Sequence, residues 1–134
     1  MRRSAALVAL TAALALALAA CSRTPPPAVS VQADEGGVHF VLGIDPAIVG
    51  EANTATLALS QNDLRVDTTG ITIAFDMPGM PMRAQRVTLD EASPGNYSAG
   101  GIRFPMSGRW RAVVRSAGTK GFPPSPLTFE IRDK

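Results

Sequence analysis

Beyond residue 37 the chain alternates apolar and polar positions in short runs, each stopped by glycine, proline or Asn/Asp. A period of two puts every second side chain on one face of a strand. Residues 38–44 align Val38, Phe40, Leu42 and Ile44, and residues 54–60 align Ala55, Leu57 and Leu59. Ile71, Ile73 and Phe75 share a face in 71–76, with Met77 next in phase, and Val87 and Leu89 follow in 83–90. In 97–104 the pair Gly100-Gly101 predicts a bulge at which the inward face switches. Trp110, Ala112 and Val114 face inward in 109–115, and Leu127, Phe129 and Ile131 close the series after Pro123, Pro124 and Pro126 have blocked earlier pairing. No helical periodicity and no internal repeat competes with this pattern. It predicts an all-β protein, a seven-stranded antiparallel β-sandwich in one domain spanning 38–134.

Counting strand directions adds geometry. If successive strands run antiparallel, the 77–82 and 105–108 turns and the 45–53 loop share one end of the sandwich. Met77, Met80, Met82 and Met106 then gather at one pole. His39 belongs to the opposite pole, about 20 Å away at 3.3 Å per residue.

The N-terminal residues are of a different kind. Arg2 and Arg3 precede an apolar run from Ala5 to Ala20, which ends Leu18-Ala19-Ala20-Cys21. A positive start, a short apolar stretch and small residues before a cut predict a signal peptide over 1–20. The run is short for a membrane span, which needs roughly 20 apolar residues. Leu-Ala-Ala-Cys is similar to the bacterial lipobox. That resemblance implies cleavage before Cys21, acylation of its sulfur and a membrane anchor through the N-terminal lipid. The expected location is the periplasm-facing cell envelope, at the outer membrane in a Gram-negative cell. Cys21 is the only cysteine, so the chain forms no internal disulfide. Residues 21–37 contain Pro25-Pro26-Pro27 and then small and polar residues, and they are expected to be a flexible tether reaching roughly 45 Å. The full chain carries 13 Lys+Arg against 11 Asp+Glu, and loss of Arg2 and Arg3 leaves 11 against 11. A near-neutral mature protein gives no reason to expect a nucleic-acid surface.

Val49-Gly50-Glu51-Ala52-Asn53, Met77-Pro78-Gly79-Met80-Pro81-Met82, Pro94-Gly95-Asn96-Tyr97-Ser98-Ala99 and Ser107-Gly108-Arg109-Trp110-Arg111 occur in this order. As an ordered set they resemble the YtkA-like domain, an immunoglobulin-like envelope module related in pattern to FixH-type proteins and copper-resistance sandwiches. The resemblance covers most of 38–132. It implies an immunoglobulin-like fold and suggests copper handling. Many relatives carry a histidine in or near the methionine turn; this chain has none there, which argues against a Cu(II) site.

Three of the five methionines fall within residues 77–82. Thioether sulfur is soft and neutral and suits Cu(I). Met80 and Met82 would point to one side of an extended segment, Met77 or Met106 would supply a third sulfur, and Trp110 would shield the site. The same residues serve equally as a cap on the core, with Met77 filling an irregular gap, or as an apolar patch for an envelope partner. No other group competes. His39 is solitary and expected on an edge strand, Asp90-Glu91 lacks a third ligand, and Ser107 lacks a base. Arg109, Arg111 and Arg115 form an outward basic stripe, expected to be solvated. No phosphate-cradling loop or small-molecule substrate site is evident, and the expected function is non-enzymatic.

Overall fold

The alternating runs all become strands. The computed structural model describes residues 28–117 and 125–134. The signal stretch, Cys21, the proline run 25–27, Pro123 and Pro124 lie outside the described residues. Ten strands follow in chain order: β1 (Val29–Glu35), β2 (Val38–Asp45), β3 (Asn53–Gln61), β4 (Leu64–Arg65), β5 (Thr72–Asp76), β6 (Gln85–Thr88), β7 (Asp90–Ser93), β8 (Asn96–Ile102), β9 (Gly108–Arg115) and β10 (Ser125–Ile131). They form two antiparallel sheets. One has the order β1-β2-β3-β8-β7 with β4 also on β3, and the other β10-β9-β5-β6.

Between the sheets lie the side chains that the alternation assigns inward. Phe40, Leu42 and Ile44 of β2, Ile73 and Phe75 of β5, and Trp110, Ala112 and Val114 of β9 are fully buried. Four rings cluster toward one end, with Phe104 set edge-on against Phe75, Trp110 and Phe129 at 5.4, 4.9 and 5.8 Å. Edge-to-face packing brings the positive rim of one ring to the negative face of the next. The predicted bulge is present. Asn53 pairs with Ile102 but Ala55 pairs with Ala99, so Gly100 and Gly101 are absorbed on β8, and Gly101 takes φ +71°. Parity then flips, and both Tyr97 and Ile102 point into the core.

Three strands exceed the expected seven, and one changes the domain boundary. Val29–Glu35, expected in the tether, is β1, paired with β2 along its whole length. Its inward residues Val29, Val31 and Ala33 are only half-buried against the core. β2 therefore has neighbours on both sides, and His39 does not lie on an edge strand. β4 is two residues long, and β7 is exposed throughout. Leu89, buried between β6 and β7, is where the chain passes from one sheet to the other, its N–H donating to the carbonyl of Ile71 at 3.0 Å. Pro126, expected to precede the last strand, lies within β10; it is tolerated there because β10 is a sheet edge.

Candidate functional site

The expected pole exists, and backbone hydrogen bonds fasten its loops together. The 46–52 loop reaches the end of β8 through Gly50 N to Phe104 O, 2.9 Å. It reaches the end of β10 through Val49 N to Arg132 O and Arg132 N to Ala47 O, each 2.9 Å. Ile131 pairs with Gly108, and β9 pairs with β5 up to Asp76, so the 103–107 and 77–84 loops emerge side by side. A carbon added at Gly108, whose φ is +119°, would come within 3.3 Å of Met77 Cε. His39 lies at the far pole, where its Nδ1 is 2.8 Å from Asp34 Oδ1.

The methionine turn folds as its prolines and glycine dictate. Met80 N donates to Met77 O at 3.1 Å, closing a β-turn with Pro78 and then Gly79 at its corners. Proline presets the first corner, and Gly79 at φ +80° supplies the left-handed second corner of a type II turn. Pro81 then centres a tighter turn, with Met82 N donating to Met80 O at 2.9 Å. This second turn corrects one expectation: the segment from Met80 to Met82 is not extended, so a two-residue spacing does not align the two side chains. Met82 and Met77 are half-buried and pack against the core, whereas Met80 is 46% exposed and Met106 37% exposed. Trp110 is fully buried. It donates its indole N–H to Met106 O at 3.0 Å and so braces the 103–107 loop from beneath.

Sequence reasoning passed over the residue that organises the pole. Asn53 is fully buried at the start of β3. Its side-chain oxygen accepts from Ile48 N at 3.2 Å, and its amide donates to Glu51 O, Ile48 O and Ile102 O at 2.9, 3.1 and 3.3 Å. An asparagine opening an apolar run beside a loop was the available signal. Such a residue is as often a plain turn former, which is why the pattern alone does not single it out.

Charges around the pole are largely neutralised. Lys134 Nζ lies 2.7 Å from Glu51 Oε1, and its hydrogen bond and charge hold the Glu51 carboxyl below its ordinary value near 4.5. Arg111 grips both carboxylate oxygens of Asp76, with Nε to Oδ1 at 2.8 Å and Nη2 to Oδ2 at 2.6 Å, which raises the guanidinium pKa. Arg109 is paired with Glu130 at 3.2 Å. The basic stripe is therefore two-thirds compensated across the strands, and Arg115 is its exposed remainder. Among the described residues no group of three or more His, Cys, Asp or Glu side chains is placed to hold a metal ion. Any metal chemistry at this pole would rest on thioether sulfur.

Together these features define a two-sheet β-sandwich with a loop pole braced from within and tipped by exposed thioethers. Residues 31–115 match the model of the YtkA-like family, and the chain belongs to that family. Neither the curated proteins nor the solved structures contain a match to it.

Proposed function

We propose that this is a lipid-anchored, non-enzymatic envelope protein whose methionine pole binds Cu(I). The observation that carries the metal reading is the placement of Met80 and Met106, two exposed thioethers on separate loops at one end of the sandwich. Soft, neutral sulfur favours a monovalent soft ion and supplies no acid–base or nucleophilic function. Met77 and Met82 are further donors within the same loops, each already packed against the core. The Leu18-Ala19-Ala20-Cys21 stretch supports the anchor, and the expected setting is the periplasm-facing envelope.

The half-burial of Met77 and Met82 favours a second reading, in which they cap the core and Met80 and Met106 meet an envelope partner without metal. Titration of the mature protein with Cu(I) against a competing chelator separates the two. The metal reading expects one tightly held ion, lost when Met80 and Met106 are changed to leucine. Binding that survives both changes, or no binding in the parent, refutes it. The partner reading expects no tight ion, and loss of a co-purifying envelope protein when Met80 is made Asp.

A further inference from the structure

Strand register fixes where the chain enters the sandwich. Val29 opens β1 and pairs with Ile44, beside the 45–53 loop, so the entry point lies at the methionine pole. Only residues 22–28 separate Cys21 from β1, much less than the tether expected from composition. From an acylated Cys21 they reach about 25 Å at full extension. β1 itself rises about 20 Å toward the Gly36-Gly37 tip at the other pole. Setting that far tip on the bilayer would draw the tether nearly taut, at a cost in chain entropy. Setting the methionine pole there leaves it slack.

The chemistry of the two poles points the same way. The far tips expose Asp34, Glu35 and Asp63 against Arg65 and Arg115, an excess of carboxylate that an anionic leaflet repels, and their exposed large apolar side chain is Leu64 alone, among the described residues. At the methionine pole Asp45, Glu51 and Asp133 are matched by Arg83, Arg103, Arg132 and Lys134, and between them stand Met80, Pro81, Pro105 and Met106. Apolar tips flanked by long basic side chains suit the headgroup region, where the stems lie along apolar surface. Lys134 is held by Glu51, whereas Arg83, and Arg103 and Arg132 beyond their single bonds to Gly50 O and Pro46 O, keep guanidinium donors for phosphate. We infer that this pole rests on the lipid headgroups of the membrane that holds Cys21, with Met80 and Met106 as its contact residues. The inference rests on the lipid-anchored reading above and is independent of the metal reading.

The test uses the mature acylated protein in vesicles of phosphatidylethanolamine and phosphatidylglycerol. With Cys21 acylated, a single introduced thiol takes a fluorophore at Ser107→Cys (methionine pole), Leu64→Cys (far pole) or Thr88→Cys (outer face of the four-stranded sheet). Nitroxide lipids labelled at the headgroup should quench the fluorophore at 107 severalfold more than at 64 or 88. Adding Met80→Asp should bring quenching at 107 down toward that at 64, and Met80→Leu should leave it high, since apolar character rather than sulfur makes this contact. Equal quenching at the three sites, stronger quenching at 64 or 88, or no response to Met80→Asp overturns the inference. A mass spectrum showing no acyl group on Cys21 removes the anchored reading, and the inference with it; acylation with the wrong quenching pattern removes the inference alone.

Discussion

Asn53→Ala removes the residue on which the 46–52 loop hangs. The amide has two hydrogens for three carbonyls, so the 3.3 Å contact to Ile102 O is a shared, weaker bond. The loss amounts to two donated bonds and the one accepted from Ile48 N. Buried hydrogen bonds contribute about 1 kcal/mol each, and an orphaned partner costs at least that much, so a loss of about 3 kcal/mol is expected. For a domain of this size that lowers the Tm by roughly 12–20 °C. Urea unfolding followed by the fluorescence of Trp110, the only tryptophan, should show a lower midpoint at unchanged slope. Asn53→Asp should be worse than alanine at neutral pH, because a carboxylate would face three carbonyl oxygens with no proton to donate. A loss under about 1 kcal/mol for alanine, or a milder effect for aspartate, would refute the assignment of Asn53 as the loop's anchor.

Two other perturbations probe separate parts of the molecule. The Tyr97 hydroxyl accepts from Thr68 N at 2.9 Å and lies 3.0 and 3.2 Å from the carbonyls of Thr68 and Val66; Tyr97→Phe should cost about 1–2 kcal/mol and speed amide exchange at Thr68 while leaving the methionine pole unchanged. Because the Glu51 pKa is lowered in the folded protein, its contribution is present above the unfolded value near 4.5 and is lost as pH falls through the folded value. Glu51→Gln should accordingly be slightly less stable than the parent at pH 7 and converge with it in acid unfolding once the pH falls below the lowered folded value, and a gap that widens toward acid would reverse the sign.

Legibility in the sequence followed burial. Six of the seven expected strands have one face deep in the core, so their alternation is strong, and β2 and β9 are read directly from Phe40-x-Leu42 and Trp110-x-Ala112-x-Val114; β6 has only half-buried Val87, with buried Leu89 just past its end. β1 follows a proline run, and its Val29, Val31 and Ala33 are only half-buried at an edge, so its alternation looks like linker composition. β7, Asp90 to Ser93, has no buried side chain at all and exists only through its ladder to β8. At the pole, the turn and its position were legible because Pro78-Gly79 dictates a backbone shape. The differing fates of Met80 and Met82 depend on the second turn at Pro81 and on what the core leaves uncovered, neither of which a residue spacing records.

β1 also closes a seam. It lies against β10 of the opposite sheet, so the first and last strands together shut one side of the sandwich. A version of the protein trimmed to begin at Val38 would strip that cover and leave the hydrogen-bonding groups of β2 unpaired along one side. Bare strand margins of this kind recruit a strand from another molecule. Such a truncation should therefore exchange strands between copies or precipitate, and a soluble monomer should require the polypeptide from Val29 onward.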